Sequence, residues 1–425
     1  MCIPLPLLIF GEKRMNLSPT AQATLLLTSY FSTSGSEDTR PLSNTEWGRF
    51  ALWLKEKSTT PADLLLSEPK ALLTSWHDPR IGADRILRLL SRGHSLALAV
   101  EKWQRAGLWI VTRSDPEYPG RLKQRLKTDS PPVLFGCGNK ALLNAGGLAV
   151  IGSRNASIAD LSFAELVGTK AAAEDTAIVS GGARGVDESA MSGAMHQGGI
   201  VVGVLSDGLL KAATSVKWRN GLMSGNLVLI SPFYPEDGFN AGNAMARNKY
   251  IYCLADSSLV IHAGKKGGTL NGAQENLKKG WVPLWVKPTS DDTTANTELV
   301  AQGGHWCESD IQRLMLSSLF ENTPTGKKEE RQVDLFSLHE QPEIFAGGMA
   351  ESRHEQTDEK PLSQQIDFYQ LFITELYRLA ATPVTVDYLV EHTGLHKSQI
   401  NDWLKRATES GLIKKLRKPV RYQIQ

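Results

Sequence analysis

Two stretches of this chain carry the same chemical phrase: LAVIGSRNAS (148–157) and AIVSGGARGVDESA (177–190). In each, a short apolar run breaks into Gly and Ser, presents one arginine, Arg154 or Arg184, and leads into a helix-forming segment. Small residues let backbone N–H groups approach an anion, a helix N-terminus adds roughly half a positive charge, and Arg supplies a planar fork of donors. The chemistry this suits is phosphate binding, and two cradles on neighbouring strands suit a ligand with more than one phosphate. Downstream, ARNKYI (246–251) and GKKGGTLNGA (264–273) add Arg247, Lys249, Lys265 and Lys266 beside another Gly-rich loop. A nucleic-acid single strand offers a phosphate at roughly every nucleotide, and nonspecific binders follow it with basic grooves. The six cations are therefore expected to converge at one sheet edge.

The neighbouring residues carry blander readings. Asp187, one residue into the second helix, reads as a helix cap or dipole partner that also orients Arg184. Trp218, Tyr234 and Tyr250 are read as core aromatics rather than stacking platforms. His196 and His262 stand isolated and are read as structural. No catalytic constellation emerges: no metal-ligand cluster, no GxSxG elbow and no Cys with a matched His. The expectation is a binding protein and not an enzyme, with no cofactor and no metal.

The cradles need a scaffold. From about 145 to 310 the runs LAVIG, AIVSGG, GIVVGVL, NLVLIS, SSLVIHAG and WVPLWVK alternate with helical patterns. Continuous apolar strands at this spacing predict an α/β, mostly parallel sheet buried on both faces, with ligands at the carboxyl ends of its strands. No GxGxxG follows the first strand and no acidic residue occupies the ribose position, which disfavours nicotinamide chemistry.

Five segments are expected. Residues 1–16 read as an unstructured extension, with translation starting at Met15. Residues 17–110 show helical apolar spacing (ALWLKEK, ADLLLSEPKALLTSW, DRILRLLSRG, LALAVEKWQRAG) and read as a small helical domain. Residues 111–320 read as the extended Rossmann-like domain, entered through a connector with Pro116, Pro119, Pro131 and Pro132 whose PPVLF run is the first strand. Residues 321–363 are polar and read as a flexible linker. Residues 364–425 read as helix, helix-turn-helix and basic hairpin, a winged helix. From Ser363 onward nine Lys/Arg stand against six Asp/Glu, a net +3. Lys405, Arg406, Lys414, Lys415, Arg417, Lys418 and Arg421 are its accessory contacts.

Composition bounds these readings. At 425 residues the chain exceeds one ordinary core. A net charge of +2 excludes a global basic coat, so any nucleic-acid site is local. Cys2, Cys137, Cys253 and Cys307 show neither CxxC nor Cys/His spacing, which argues against zinc and for a reduced chain. The apolar run near the start is short and proline-broken, so the protein is expected in the cytoplasm with no membrane partner.

The ordered set YPGRL, PPVLFGCGN, VIGSRNAS, IVSGGARGVD, ARNKYI and GKKGGTLNGA, followed by a winged helix, resembles the DNA-processing protein A (DprA/Smf) family as a divergent member. The resemblance implies an extended Rossmann domain that binds single-stranded DNA, delivery to a RecA-type recombinase, and a homodimer through the Rossmann domain. Position by position it implies a phosphate site at Gly152, Ser153, Arg154 and Ser157; at Ser180, Gly181, Gly182, Arg184, Gly185 and Asp187; at Arg247, Asn248 and Lys249; and at Lys265, Lys266, Gly267, Gly268 and Thr269. Departures are Met191 where the family has His after Gly-Val-Asp, Lys249 for the last Arg of Arg-Asn-Arg, Ser231-Pro232 for Ser-Glu-Pro, and the added Lys265 and Lys266. These make transfer of the strand-binding site safer than transfer of recombinase loading.

A second reading stays open. GKKGGTLNGAQE comes close to the Gly-Gly-x-Gly-Thr loop and following Glu of lysine-decarboxylase-like phosphoribohydrolases, although Glu275 stands six residues past Thr269. That alternative is a nucleotide-sensing or nucleoside-monophosphate-hydrolysing protein.

Overall fold

The computed structural model describes residues 17–31, 40–66, 68–321 and, within 373–424, all but 374–375, 381, 394–399, 401–402, 405, 409, 411 and 417–420. The chain divides into two compact units, Met1–Pro342 and Glu343–Gln425.

The first unit is organised by a nine-stranded sheet. Its strands are β1 (Trp109–Thr112), β2 (Val133–Gly138), β3 (Leu148–Gly152), β4 (Ile178–Ser180), β5 (Val201–Val204), β6 (Leu227–Ser231), β7 (Ser257–His262), β8 (Leu284–Val286) and β9 (His305–Trp306). They lie in the order β1-β2-β6-β5-β4-β3-β7-β8-β9. From β6 to β9 every pairing is parallel, and β2 pairs antiparallel with both β1 and β6. All six expected strands are present as β3 to β8, and their apolar runs are buried because helices cover both faces.

The sheet begins earlier than the sequence reading placed it. PPVLF contributes the second strand; Trp109–Thr112 precedes it and pairs along its whole length. The GLWIVT run around Trp109 does read as strand at the end of the helical segment, and the structure joins it to the central sheet ahead of PPVLF.

Four longer helices, Pro19–Thr28, Asn44–Glu56, Ala83–Leu90 and Gly93–Arg105, fill the N-terminal part. The ADLLLSEPKALLTSW stretch is instead two single turns, Asp63–Leu66 and Pro69–Leu72, because Pro69 opens a new turn rather than continuing the first. Ser43 and Glu46 form a capping box on Asn44–Glu56, and Arg85 grips both Glu46 oxygens at 2.9 and 3.2 Å. Burial opposes the Glu46 charge, yet the Arg85 and Ser43 hydrogen bonds prevail and hold its carboxyl at about 2. The helices share a core with the sheet: the Trp103 ring meets Phe135 of β2 at 5.0 Å between centroids and Tyr234 at 6.1 Å.

The helices that follow β3 and β4, Ile158–Ala173 and Val186–His196, cross at two glycines. A Cβ on Gly168 would run into the Ala190 carbonyl, and one on Gly193 into the Glu165 carbonyl, so the two backbones touch directly. Gly168→Ala is expected to cost about 1–3 kcal/mol by overpacking, despite the better helix propensity of Ala. A urea titration checks this; unchanged or increased stability would mean that the helices separate without penalty.

In the second unit, a helix Val386–Thr393 and an antiparallel hairpin, β10 (Ile413–Leu416) with β11 (Arg421–Ile424), accompany a core that includes Leu376, Leu389, Ile400, Leu404 and Ile413. Phe372, the 1–16 extension and all of the 321–363 linker beyond Glu321 lie outside the described residues. No helix among the described residues is long and apolar enough to cross a membrane.

Candidate nucleic-acid interface

Sequence neighbours part company at β3: β4 to β6 lie on one side of it and β7 to β9 on the other. Such a switch point leaves a crevice at the carboxyl ends, where ligands of open α/β sheets sit. At this edge the β3/β7 register slips, pairing Ile151 with Val260 but Gly152 with His262.

Two clefts open above it. The first, about 370 Å³, lies between the β3 loop, the helix Ala241–Leu254 and the loop before Gly268–Lys279. The second, about 270 Å³, lies over the ends of β4 and β5. They share Arg154 and Ala183.

The N-termini around the clefts differ in what they offer. Val186–His196 and Gly268–Lys279 start from Gly185 and Gly267, with φ of 100° and 119°, and neither has a side-chain cap. A left-handed glycine brings the chain in steeply. At Val186–His196 the Val186 and Glu188 amides already donate to the Ser153 and Ala183 carbonyls at 3.5 and 3.0 Å, so it is Gly268–Lys279 that offers first-turn amides to an anion. Ile158–Ala173 is different, because Ser157 closes a capping box with Asp160 and its hydroxyl also donates to the Asp160 carboxylate at 2.8 Å. The first cradle is thus self-satisfied at its helix, and what it offers the clefts is Arg154.

Beneath the loops lies a buried ion pair. Arg247 and Asp187 are each only 4% exposed, with Nη2 of Arg247 3.9 Å from Asp187 Oδ2. Arg247 Nη1 donates to the Val204 carbonyl at 2.6 Å, and the Gly152 amide donates to Asp187 Oδ1 at 3.3 Å. Burial pushes the Asp187 carboxyl up against the pull of Arg247, and burial pushes the Arg247 guanidinium down against the pull of Asp187. Gly181 makes room for this pair, since a Cβ there would coincide with the guanidinium. Arg247 therefore ties β5 to the second helix, and both it and Asp187 line the first cleft as nearly buried groups rather than as the solvent-exposed groove residues expected from the sequence. Asp187 holds Arg247 and β3, and neither caps its own helix nor orients Arg184.

The remaining expected residues divide in two. Arg154 and Lys266 are exposed and line the first cleft together with Gly152, Ser153, Gly267, Gly268 and Thr269, while Gly181 and Gly182 line the second. Asn248 lines the first cleft and donates to the Gly268 carbonyl at 2.9 Å, which fixes the late loop. Arg184 and Lys265 are exposed but line neither cleft. Lys249 turns away, its ammonium 5.2 Å from the Tyr250 ring centre, because it sits about 200° around the helix from Arg247. Ser180 is fully buried and donates to the Val150 carbonyl at 2.6 Å, so its hydroxyl serves the sheet. In the second unit Arg406, Lys414 and Arg421 are exposed, Lys415 lies in β10, and Lys405, Arg417 and Lys418 fall outside the described residues.

Phe239 and Met245 were missed. They are 59% and 50% exposed on the rim of the first cleft, and the Arg154 guanidinium stands 4.8 Å from the Phe239 ring centre. Phe239 had a signal, an apolar residue in the Gly/Asn-rich DGFN ahead of a helix; Met245 lies in the first turns of that helix and had none. His262 is not isolated: its Nδ1 is 3.2 Å from Asp160, which Lys287 also grips at 3.1 Å. Trp218, Tyr234 and Tyr250 are buried as core aromatics. Cys137, Cys253 and Cys307 are buried and unpaired, and burial pushes each thiol up to about 12. Glu275, which hydrolysis would require, is exposed and lines neither cleft.

A family model described as DNA recombination-mediator protein A matches residues 109–316, from the first residue of β1 to beyond β9. DNA processing protein DprA of Bacillus subtilis (strain 168) is 24% identical over 273 residues, 58% of this chain and 90% of that protein. Protein Smf of Escherichia coli (strain K12) is 31% identical over 173 residues, 40% of this chain and 46% of that protein. The X-ray structure of DNA processing protein A from Streptococcus pneumoniae is 22% identical at a TM-score of 0.48, covering 64% of this chain and 96% of the other. The segment that matches is the sheet that carries both clefts, and in it the chain is similar to the DprA/Smf family of DNA-processing proteins.

Proposed function

We propose that this chain binds single-stranded DNA without a catalytic step, shields it in the cytoplasm, and passes it to a RecA-type recombinase. The observation that carries this reading is the junction of two open clefts at Arg154, with Lys266 and the uncapped N-terminus of Gly268–Lys279 beside it. Repeated donors along an open path suit a polymer of phosphates better than one enclosed small anion. Similarity to a DNA-processing family supports the same ligand class. The C-terminal unit is read as a winged helix whose exposed Arg406, Lys414 and Arg421 add accessory phosphate contacts, and a homodimer through the sheet domain belongs to the same proposal.

Ionic strength tests it. Each phosphate neutralised on a single strand contributes a slope of about 0.7 to the fall of log affinity with log salt, so three or four contacts give roughly 2–3. Fluorescence anisotropy with oligo-dT across a salt series checks this. A slope near zero, with tight binding of mononucleotides, would replace the strand by a nucleotide as the ligand.

A further inference from the structure

The second cleft holds a feature that a phosphate track does not need. Asp207 lines it three residues past the end of β5, and a carboxylate repels phosphates. Its Oδ1 accepts the Ser206 hydroxyl at 2.7 Å, and no other side-chain donor to it is present among the described residues. The Ser215 hydroxyl, on the same wall, is buried without a hydrogen-bond partner among the described residues. Leu205 and the edge of the largely buried Trp218 supply an apolar wall, and Gly182 keeps it open: a Cβ at 182 would come within 2.9 Å of Leu205 Cδ2 and 3.5 Å of the indole. At about 270 Å³ the cleft falls below the roughly 300–1,000 Å³ of sites for drug-sized ligands, a size for one planar ring system.

We propose that this cleft takes one base of the bound strand, turned away from the phosphates at Arg154, and that Asp207 selects guanine. The inference rests on the single-strand reading above. A carboxylate accepts and does not donate. Guanine alone presents two adjacent N–H donors on its Watson–Crick edge, N1–H and the 2-amino group. Adenine and cytosine set one amino group beside an acceptor nitrogen, and thymine sets its N3–H between two carbonyls. Bases freed from a duplex are read on this edge and packed on apolar side chains.

The test is anisotropy with a dT oligonucleotide, the same strand with one central guanine, and the same strand with inosine there, which keeps N1–H and lacks the 2-amino group. On the unsubstituted protein the guanine strand should bind at least about fivefold more tightly than all-thymine, the lower end of a bidentate base contact, with inosine between them. In Asp207→Asn, checked for folding by its melting curve, the guanine-to-thymine ratio should fall to near one. Equal affinity for all three strands overturns the base pocket and leaves strand binding intact. Failure of every strand to bind overturns both.

Discussion

Arg247→Ala is expected to lower the free energy of unfolding by about 3–5 kcal/mol, the range for removing one partner of a buried ion pair. The loss exceeds that of a surface arginine because Asp187 would remain 4% exposed, with only backbone amides to hold its charge. The deficit should depend on pH. Asp187 titrates above its unfolded value, so the stability linked to its protonation is complete below the unfolded carboxylate range and is lost as pH rises through the folded value. Without Arg247 the folded value climbs further, so the variant should trail the parent most at neutral pH and recover ground on acidification. Asp187→Asn in the same background should restore part of the loss. Denaturant titrations at neutral and mildly acidic pH decide it, and a variant as stable as the parent at neutral pH would show that the pair does not hold the loops.

Arg154→Ala should act on the ligand and spare the fold. Its side chain is exposed at the point shared by both clefts, so its removal is expected to weaken oligo-dT binding by about 1.5–3 kcal/mol, the range for hydrogen bonds to charged groups. That is roughly a 10- to 150-fold loss. Arg184→Ala is the informative comparison, because Arg184 lines neither cleft and a solvated charge contributes at most about 1 kcal/mol. Parent-like binding by Arg154→Ala would displace the ligand from this crevice, and equal losses from both variants would show that side chains outside the clefts carry the strand.

The strands were legible because runs such as LAVI and LVLI are buried on both faces and carry nothing but apolar side chains. The two Gly-rich loops were legible for a related reason, since glycine after an apolar strand has few structural uses. Which cation faces a ligand could not be read the same way. Arg154 and Arg247 look alike in sequence, and only the space beside Gly181 puts one beneath the loops while the other stands in solvent. Ser157 and Ser180 sit in Gly/Ser-rich phrases too, but one spends its hydroxyl on a helix cap and the other on a neighbouring strand. Phe239 and Asp207 escaped because they lie in connections after β6 and β5, which no short phrase ties to the cradles and only the sheet order brings to the same edge.

The contact between Gly168 and Gly193 fixes more than two helices. Because their backbones meet with no side chain between them, the spacing of the loops at their N-termini is a gauge set by peptide geometry, which no change of side-chain volume elsewhere can retune. Phe239, Met245 and Lys266 stand on the rim and are free to vary without disturbing that gauge. A library meant to redirect which strands the protein accepts should therefore randomise these rim positions and keep 168 and 193 as they are. Selection would then explore new chemistry over an unchanged ruler.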